Sequence, residues 1–291
     1  MKNGFLISAL SVSLSLSSVF ACDIHGKTGF MPENNLRISK FAKDTNGMTE
    51  EKFLSIVKRV SDVYAPIVKS KGATLSMIND WDDETVNAYA NRVGKVWEVH
   101  MFGGLARHTL TTDDGFMLVV CHETGHHLGG APRYGGGSDW ATNEGQADYF
   151  GTLKCMRRVI ENDDNVAIVS KMKIDAEATK QCEAVYKTES EVALCQRIAM
   201  AGKSLGMLLG SLGGSSKVNF DTPDKKVVRR TNDNHPAAQC RLDTYFSGSL
   251  CDKSYTEDVS DTSPIPGTCI KRDGYTAGVR PLCWYKPGSG E

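Results

Sequence analysis

Apolar residues along the chain change period several times, and each change marks an element. In TEEKFLSIVKRVSDVYAPIVKSKG, residues 49–72, Phe53, Ile56, Val60, Val63 and Ile67 recur at helical spacing behind a threonine and two acids suited to an N-terminus. This predicts an amphipathic helix, kinked near Pro66, whose ring does not fit a regular turn. TVNAYANRVGKVWEVHMFGG, residues 85–104, alternates with a period of two on either side of an Asn-Arg-Val-Gly turn, which predicts a hairpin. TTDDGFMLVVCHETGHHLGG, residues 111–130, has capping acids, an unbroken apolar run and a double glycine, so it reads as a helix with a clear start and stop. A glycine-rich loop, APRYGGGSDWAT, separates it from NEGQADYFGTLKCMRRVIEN, which is helical again. Further helical stretches fall around residues 165–187 and 189–212, the latter ending in GMLLGSLGG, whose length suits a buried helix end. Beyond residue 213 the composition shifts to Gly, Ser, Pro and Asp. The expected fold is α+β, mainly helical, with a small β-sheet.

The first 21 residues, MKNGFLISALSVSLSLSSVFA, carry one lysine, an apolar and serine-rich stretch and small residues at the end, the pattern of a signal peptide. Residues 22–248 are then read as the main domain and 249–291 as a cysteine-rich extension. No later segment is expected to reach the roughly 18 uncharged apolar residues of a membrane span. Cys22, in SVFACD, sits where a bacterial lipobox would place a lipid-bearing first residue, and plain secretion is the alternative. The expected location is therefore periplasmic, membrane-anchored as a lipoprotein, or secreted. Export also changes how cysteines are read, because thiols in an oxidising compartment pair. Without Cys22, eight of the nine cysteines remain, enough for four disulfides, with the pairing left open by the sequence. The 34 Lys plus Arg nearly balance the 35 Asp plus Glu, with no basic run, so nucleic acid is not an expected partner.

The candidate chemistry lies in VVCHETGHHLGG, residues 119–130. On a helix, His122 and His126 are four apart and project from one face, so both imidazoles reach a single ion. Glu123, next to the first histidine, is placed to take a proton from water activated by zinc. The metzincin pattern needs a histidine six residues after His126, where this chain has Pro132. The gluzincin pattern needs a glutamate on a later helix, and NEGQADYFG offers Glu144, with Asp148 one turn further on to orient a ligand histidine through its other ring nitrogen. His127 is expected to point elsewhere, His100 and His108 to be structural, and Cys121 to be buried or disulfide-bonded.

HETGH followed by NEGQADYFG resembles the thermolysin-type gluzincin signature. With VNAYA upstream and NHPAAQCR downstream, residues 86–246 resemble the HtpX-like gluzincin peptidases. The resemblance implies a zincin-type domain with one Zn2+ held by His122, His126 and Glu144, Glu123 as general base and Asp148 behind the ligands. It also implies His235 near the zinc, as an extra ligand or an oxyanion donor, with Arg241 supporting the region and KVWEVHMF as the strand beside which an extended peptide lies. The expectation is an exported zinc metalloendopeptidase acting on protein or peptide substrates through a zinc-bound water. A latent or chaperone-like binding protein closed by His235 is the alternative, and a disulfide-stapled adhesin ranks last.

Overall fold

Thr49 starts the first helix, α1 (Glu50–Ser70): its hydroxyl accepts the Lys52 N–H at 3.2 Å, with Glu50 and Glu51 in the first turn complementing the helix dipole. The computed structural model describes residues 29–137, 140–214 and 217–291, so the expected signal peptide and Cys22 lie outside the described residues. The buried stripe of α1 is Phe53, Ile56, Val57, Val60, Tyr64 and Val68, and the helix continues past Pro66. Val63 and Ile67 border this stripe, half-buried, where period alone had put them at its centre.

The expected hairpin forms from β2 (Ala88–Val93) and β3 (Val96–Phe102), but it turns at Gly94-Lys95, and Asn91, Arg92 and Val93, expected in the turn, are paired within β2. A third strand not anticipated from the pattern, β1 (Thr74–Asp80), pairs parallel to β3, giving the order β1-β3-β2. KVWEVHMF is therefore the central strand, hydrogen-bonded on both sides. A peptide cannot add to it, which corrects that expectation, and on the hairpin side the edge belongs to β2.

After the short α2 (Gly103–Arg107), α3 (Asp113–Leu128) begins where Thr112 accepts the Gly115 N–H at 3.0 Å, and it ends at Gly129. Every residue of α3 from Gly115 to Leu128 is buried, so this helix runs through the interior with packing on all faces. Asn143 caps α4 (Glu144–Phe150), which continues through a π-helical turn, Gly151–Met156, into α5 (Arg157–Ile160). The stretch expected as one helix over 165–187 is broken into α6 (Asn165–Val169) and α7 (Ala176–Val185), with Asp175 capping the second. A capping box, Thr188 with Glu191, opens α8 (Glu189–Leu212). By length and composition α8 could cross a membrane, contrary to expectation, yet most of its apolar stretch is buried against α3 and the last helix, α9 (Ala238–Leu250).

Four disulfides use the eight cysteines other than Cys22. Cys121–Cys155 ties α3 to the π-helical turn, Cys182–Cys195 ties α7 to α8, Cys240–Cys283 ties α9 to the C-terminal segment, and Cys251–Cys269 closes a loop within that segment. Each such link typically contributes about 2–4 kcal/mol. Together they fit an oxidising, extracellular-type environment.

Candidate active site

The helical spacing of α3 brings His122, Glu123 and His126 together, with ligand atoms all within 4.8 Å of one another. Glu144, the first residue of α4, faces them: its Oε2 lies 3.4 Å from His122 Nε2 and its Oε1 3.7 Å from His126 Nε2. One turn on, Asp148 Oδ1 is 2.7 Å from His122 Nδ1. All five side chains are fully buried. His235, in the loop before α9, places Nε2 3.3 Å from Glu144 Oε2. Arg241, in the first turn of α9, donates from Nε and Nη2 to the two Asp148 oxygens at 2.8 and 2.7 Å. The structure thus brings together all seven residues singled out from the sequence.

The hydrogen bonds fix which nitrogen each of the two histidines presents. His126 Nδ1–H donates to the Thr142 carbonyl at 2.8 Å, which leaves the Nε2 lone pair toward Glu144. His122 does the same through Asp148, exposing Nε2 to the common centre. At that centre His122 Nε2, both Glu123 oxygens and Glu144 Oε2 are buried without a hydrogen-bond partner. Buried polar atoms that converge in this way need a ligand. Two imidazole nitrogens and a carboxylate oxygen are the donor set of a catalytic zinc.

Burial and mutual charge shift the groups of this cluster in opposite directions. Burial, with Glu144 and Asp148 close by, raises the Glu123 carboxyl to about 8 despite the opposing pull of His122 and Arg241. Burial disfavours charge on His122, but Asp148 and Glu144 outweigh it and raise this imidazole to about 9. Burial likewise acts against the Glu144 carboxylate, yet His235, His126 and His122 hold it well below its ordinary range. Without a cation, the cluster must hold protons to offset its carboxylates.

Some contributors escaped the sequence reading. Tyr134, in the glycine-rich loop, donates its hydroxyl to Glu144 Oε1 at 2.9 Å. Asp233 binds that loop through the Gly135 N–H and Asn143 Nδ2 at 3.2 and 3.1 Å. Neither carries a local signal, because the contacts between the Tyr134 loop and Asp233 span about a third of the chain. His127 does point elsewhere: it is stacked between Trp97 and Trp140, donates from Nε2 to the Glu98 carbonyl, and accepts from Arg92 Nε at Nδ1. Burial pushes its pKa down to about 3, so it is neutral. Cys121 is disulfide-bonded and away from the cluster.

No protein-family model, curated protein sequence or solved structure matches this chain.

Proposed function

We propose that the protein is a zinc-dependent metalloendopeptidase of gluzincin type. The observation that carries this reading is the convergence of unpartnered, fully buried atoms of His122, Glu123 and Glu144 beside His126. A zinc kept only for stability would need the ligands but not Glu123 beside them.

Bound by His122, His126 and Glu144, a zinc ion would lower the pKa of water and polarise a peptide carbonyl. Glu123 would take the proton of the attacking water and return it to the leaving amine. Asp148, itself clamped by Arg241, would hold the His122 ring and tautomer. His235, whose Nε2 carries a proton toward a backbone carbonyl at 2.5 Å, is placed to donate to a substrate carbonyl oxygen as charge develops on it. The substrate is a peptide or protein. The reading includes export, with residues 1–21 as leader and Cys22 as the first mature residue, lipidated or free; mass spectrometry of the mature N-terminus distinguishes the two. With His122, Glu123, His126, Glu144 and Asp148 fully buried, a peptide would reach them only when the site opens, so cleavage by the unmutated protein would be slow.

The test measures zinc content and casein or peptide cleavage side by side for the oxidised mature protein and Glu123→Gln. One zinc in each, with cleavage in the unmutated protein alone, is the expected result. One zinc in each without cleavage from either points instead to a latent enzyme or a chaperone-like binding protein, and absence of zinc sinks the site.

A further inference from the structure

The cluster is closed by a segment far from it in sequence. Residues 36–38 run antiparallel to residues 84–86, upstream of β2, and the chain before them bends back so that Phe30 reaches Ala88. Ile38 N–H donates to Glu84 O at 2.8 Å, Val86 N–H to Leu36 O at 3.3 Å and Phe30 N–H to Ala88 O at 2.9 Å, with a bridge between Arg37 and Thr85. Asn87 grips Met31 at two points: its Oδ1 accepts the Met31 N–H at 2.8 Å and its Nδ2 donates to Met31 O at 3.3 Å. Because β2 is an edge strand, the N-terminal segment, bonded to Ala88 and the residues just before it, lies at the start of the edge that an extended peptide could use.

Where the segment reaches the cluster, it bends at residues 29–31 and two of its carbonyls meet site residues. Gly29 O accepts His235 Nε2–H at 2.5 Å, and Phe30 O accepts from Arg241 Nη1 at 2.6 Å. The Phe30 ring stands edge-on to His122, centroids 5.3 Å apart, and the Arg241 guanidinium lies 4.6 Å above its face. Phe30 and Met31 are fully buried. A Cβ on Gly29 would come within 2.1 Å of Ala88 O and 2.9 Å of Asn87 Oδ1, so only glycine passes at that point.

We propose that Gly29–Met31 is a tethered occupant of the peptide-binding site. The Gly29 carbonyl takes the place of a substrate carbonyl at His235, and the Phe30 ring fills an apolar subsite against His122. The two carbonyls are taken up by His235 and Arg241, the side chains that flank Glu144 and Asp148, as a bound peptide's would be. The segment must withdraw before a peptide can reach Glu123. The ligand that replaces it is an extended peptide with a large apolar side chain just after the carbonyl held by His235. Identifying the occupant's place as a peptide site rests on the peptidase reading, but the test below requires no cleavage.

The exported chain carrying Glu123→Gln, which is inert to turnover, is compared with the same chain carrying Gly29→Ala in addition. The probe is a fluorescent peptide, GKTGFMPEN, copied from residues 26–34, with binding read by anisotropy and backbone protection by hydrogen exchange. In the Gly29→Ala chain the Phe30 and Met31 amides should lose protection while those of α3 keep it. Binding of the probe should tighten at least about tenfold, and changing the probe's phenylalanine to alanine should reverse most of that gain. The proposal is overturned if protection at Phe30 and Met31 is unchanged, if α3 loses protection with them so that the segment is core, or if the amides open and no probe binds. Probe binding to the Gly29→Ala, Glu123→Gln chain together with an absence of cleavage by a Gly29→Ala chain that keeps Glu123 and holds one zinc would leave this inference standing and remove the peptidase reading.

Discussion

The Asp148 carboxylate lies 2.7 Å from His122 Nδ1, at the ring nitrogen opposite the one that faces Glu144, and neither group meets solvent. Burial works against charge on Asp148, but Arg241 and His122 outweigh it and hold the carboxyl below its usual range. An ionised acceptor there fixes the His122 tautomer and makes Nε2 a stronger donor to a metal. Asp148→Asn keeps the shape and removes the charge. Zinc affinity, measured by competition with a chromogenic chelator, is expected to fall roughly 10–100-fold. Unchanged affinity would show that Asp148 does not tune His122.

Tyr134 restrains the other carboxylate. Its hydroxyl donates to Glu144 Oε1, leaving Oε2 toward His122 and His235. A hydrogen bond to a charged acceptor contributes about 1.5–3 kcal/mol, and Tyr134→Phe deletes it without emptying the core, since Tyr134 is only half-buried. Zinc binding followed by calorimetry should weaken by about tenfold, with the thermal midpoint of the metal-free protein little changed. A fall in that midpoint without any change in zinc affinity would assign Tyr134 to loop stability alone.

How far the site could be read in advance depended on how local each signal was. The Thr112 cap, the stop at Gly129 and the spacing of His122 and His126 are all properties of α3 itself, and Glu144 and Asp148 share one face of α4, so the expected proximity of these side chains could be read from local spacing. Placement of His235 and Arg241 drew on resemblance, because nothing local ties α9 to α4. Strand β1 stayed hidden because its seven residues are exposed or half-buried, with no apolar alternation to read. The break at residues 170–175 was masked by a helical pattern that resumes after Asp175. Gly29–Met31 escaped altogether, since its partner Asn87 is 56 residues away.

The C-terminal segment bears directly on the third candidate ligand. Trp284, fully buried and next to the Cys240–Cys283 link, packs so closely on α4 that a Cβ at Gly145 would fall within 2.3 Å of its indole. Arg280 Nε also donates to Gln146 Oε1 at 2.7 Å. Gly145→Ala should therefore overpack this contact and cost about 1–3 kcal/mol in denaturant unfolding. Because Glu144 is the adjacent residue, zinc affinity should fall as well. Ala at this position with full stability would show that the indole has room to retreat.

Acid sensitivity can be assigned to a second ion cluster, apart from the candidate zinc ligands. Arg197 bridges Asp114 and Asp163, with its Nη1 2.7 Å from Asp163 Oδ2, and Arg59 adds a contact at 2.9 Å. Burial works to raise the Asp163 carboxyl, but the hydrogen bonds from Arg197 and Arg59 outweigh it and hold the group below its ordinary 3.8. The folded state therefore releases this proton more readily than the unfolded chain does. The resulting stabilisation is complete above 3.8 and is lost as pH falls from there through the lower folded-state value. Arg59 is well exposed and screened by solvent, so Arg197, with its side chain only 6% exposed, carries most of the effect. Asp163→Asn should destabilise the protein by about 2 kcal/mol near neutral pH. That difference should shrink toward zero in urea titrations carried well below pH 3.8, where the unmutated carboxyl is protonated too. A penalty that stayed constant down the whole pH range would mean that Asp163 acts through packing or neutral hydrogen bonds, and would move the origin of acid lability to the buried carboxylates of α4.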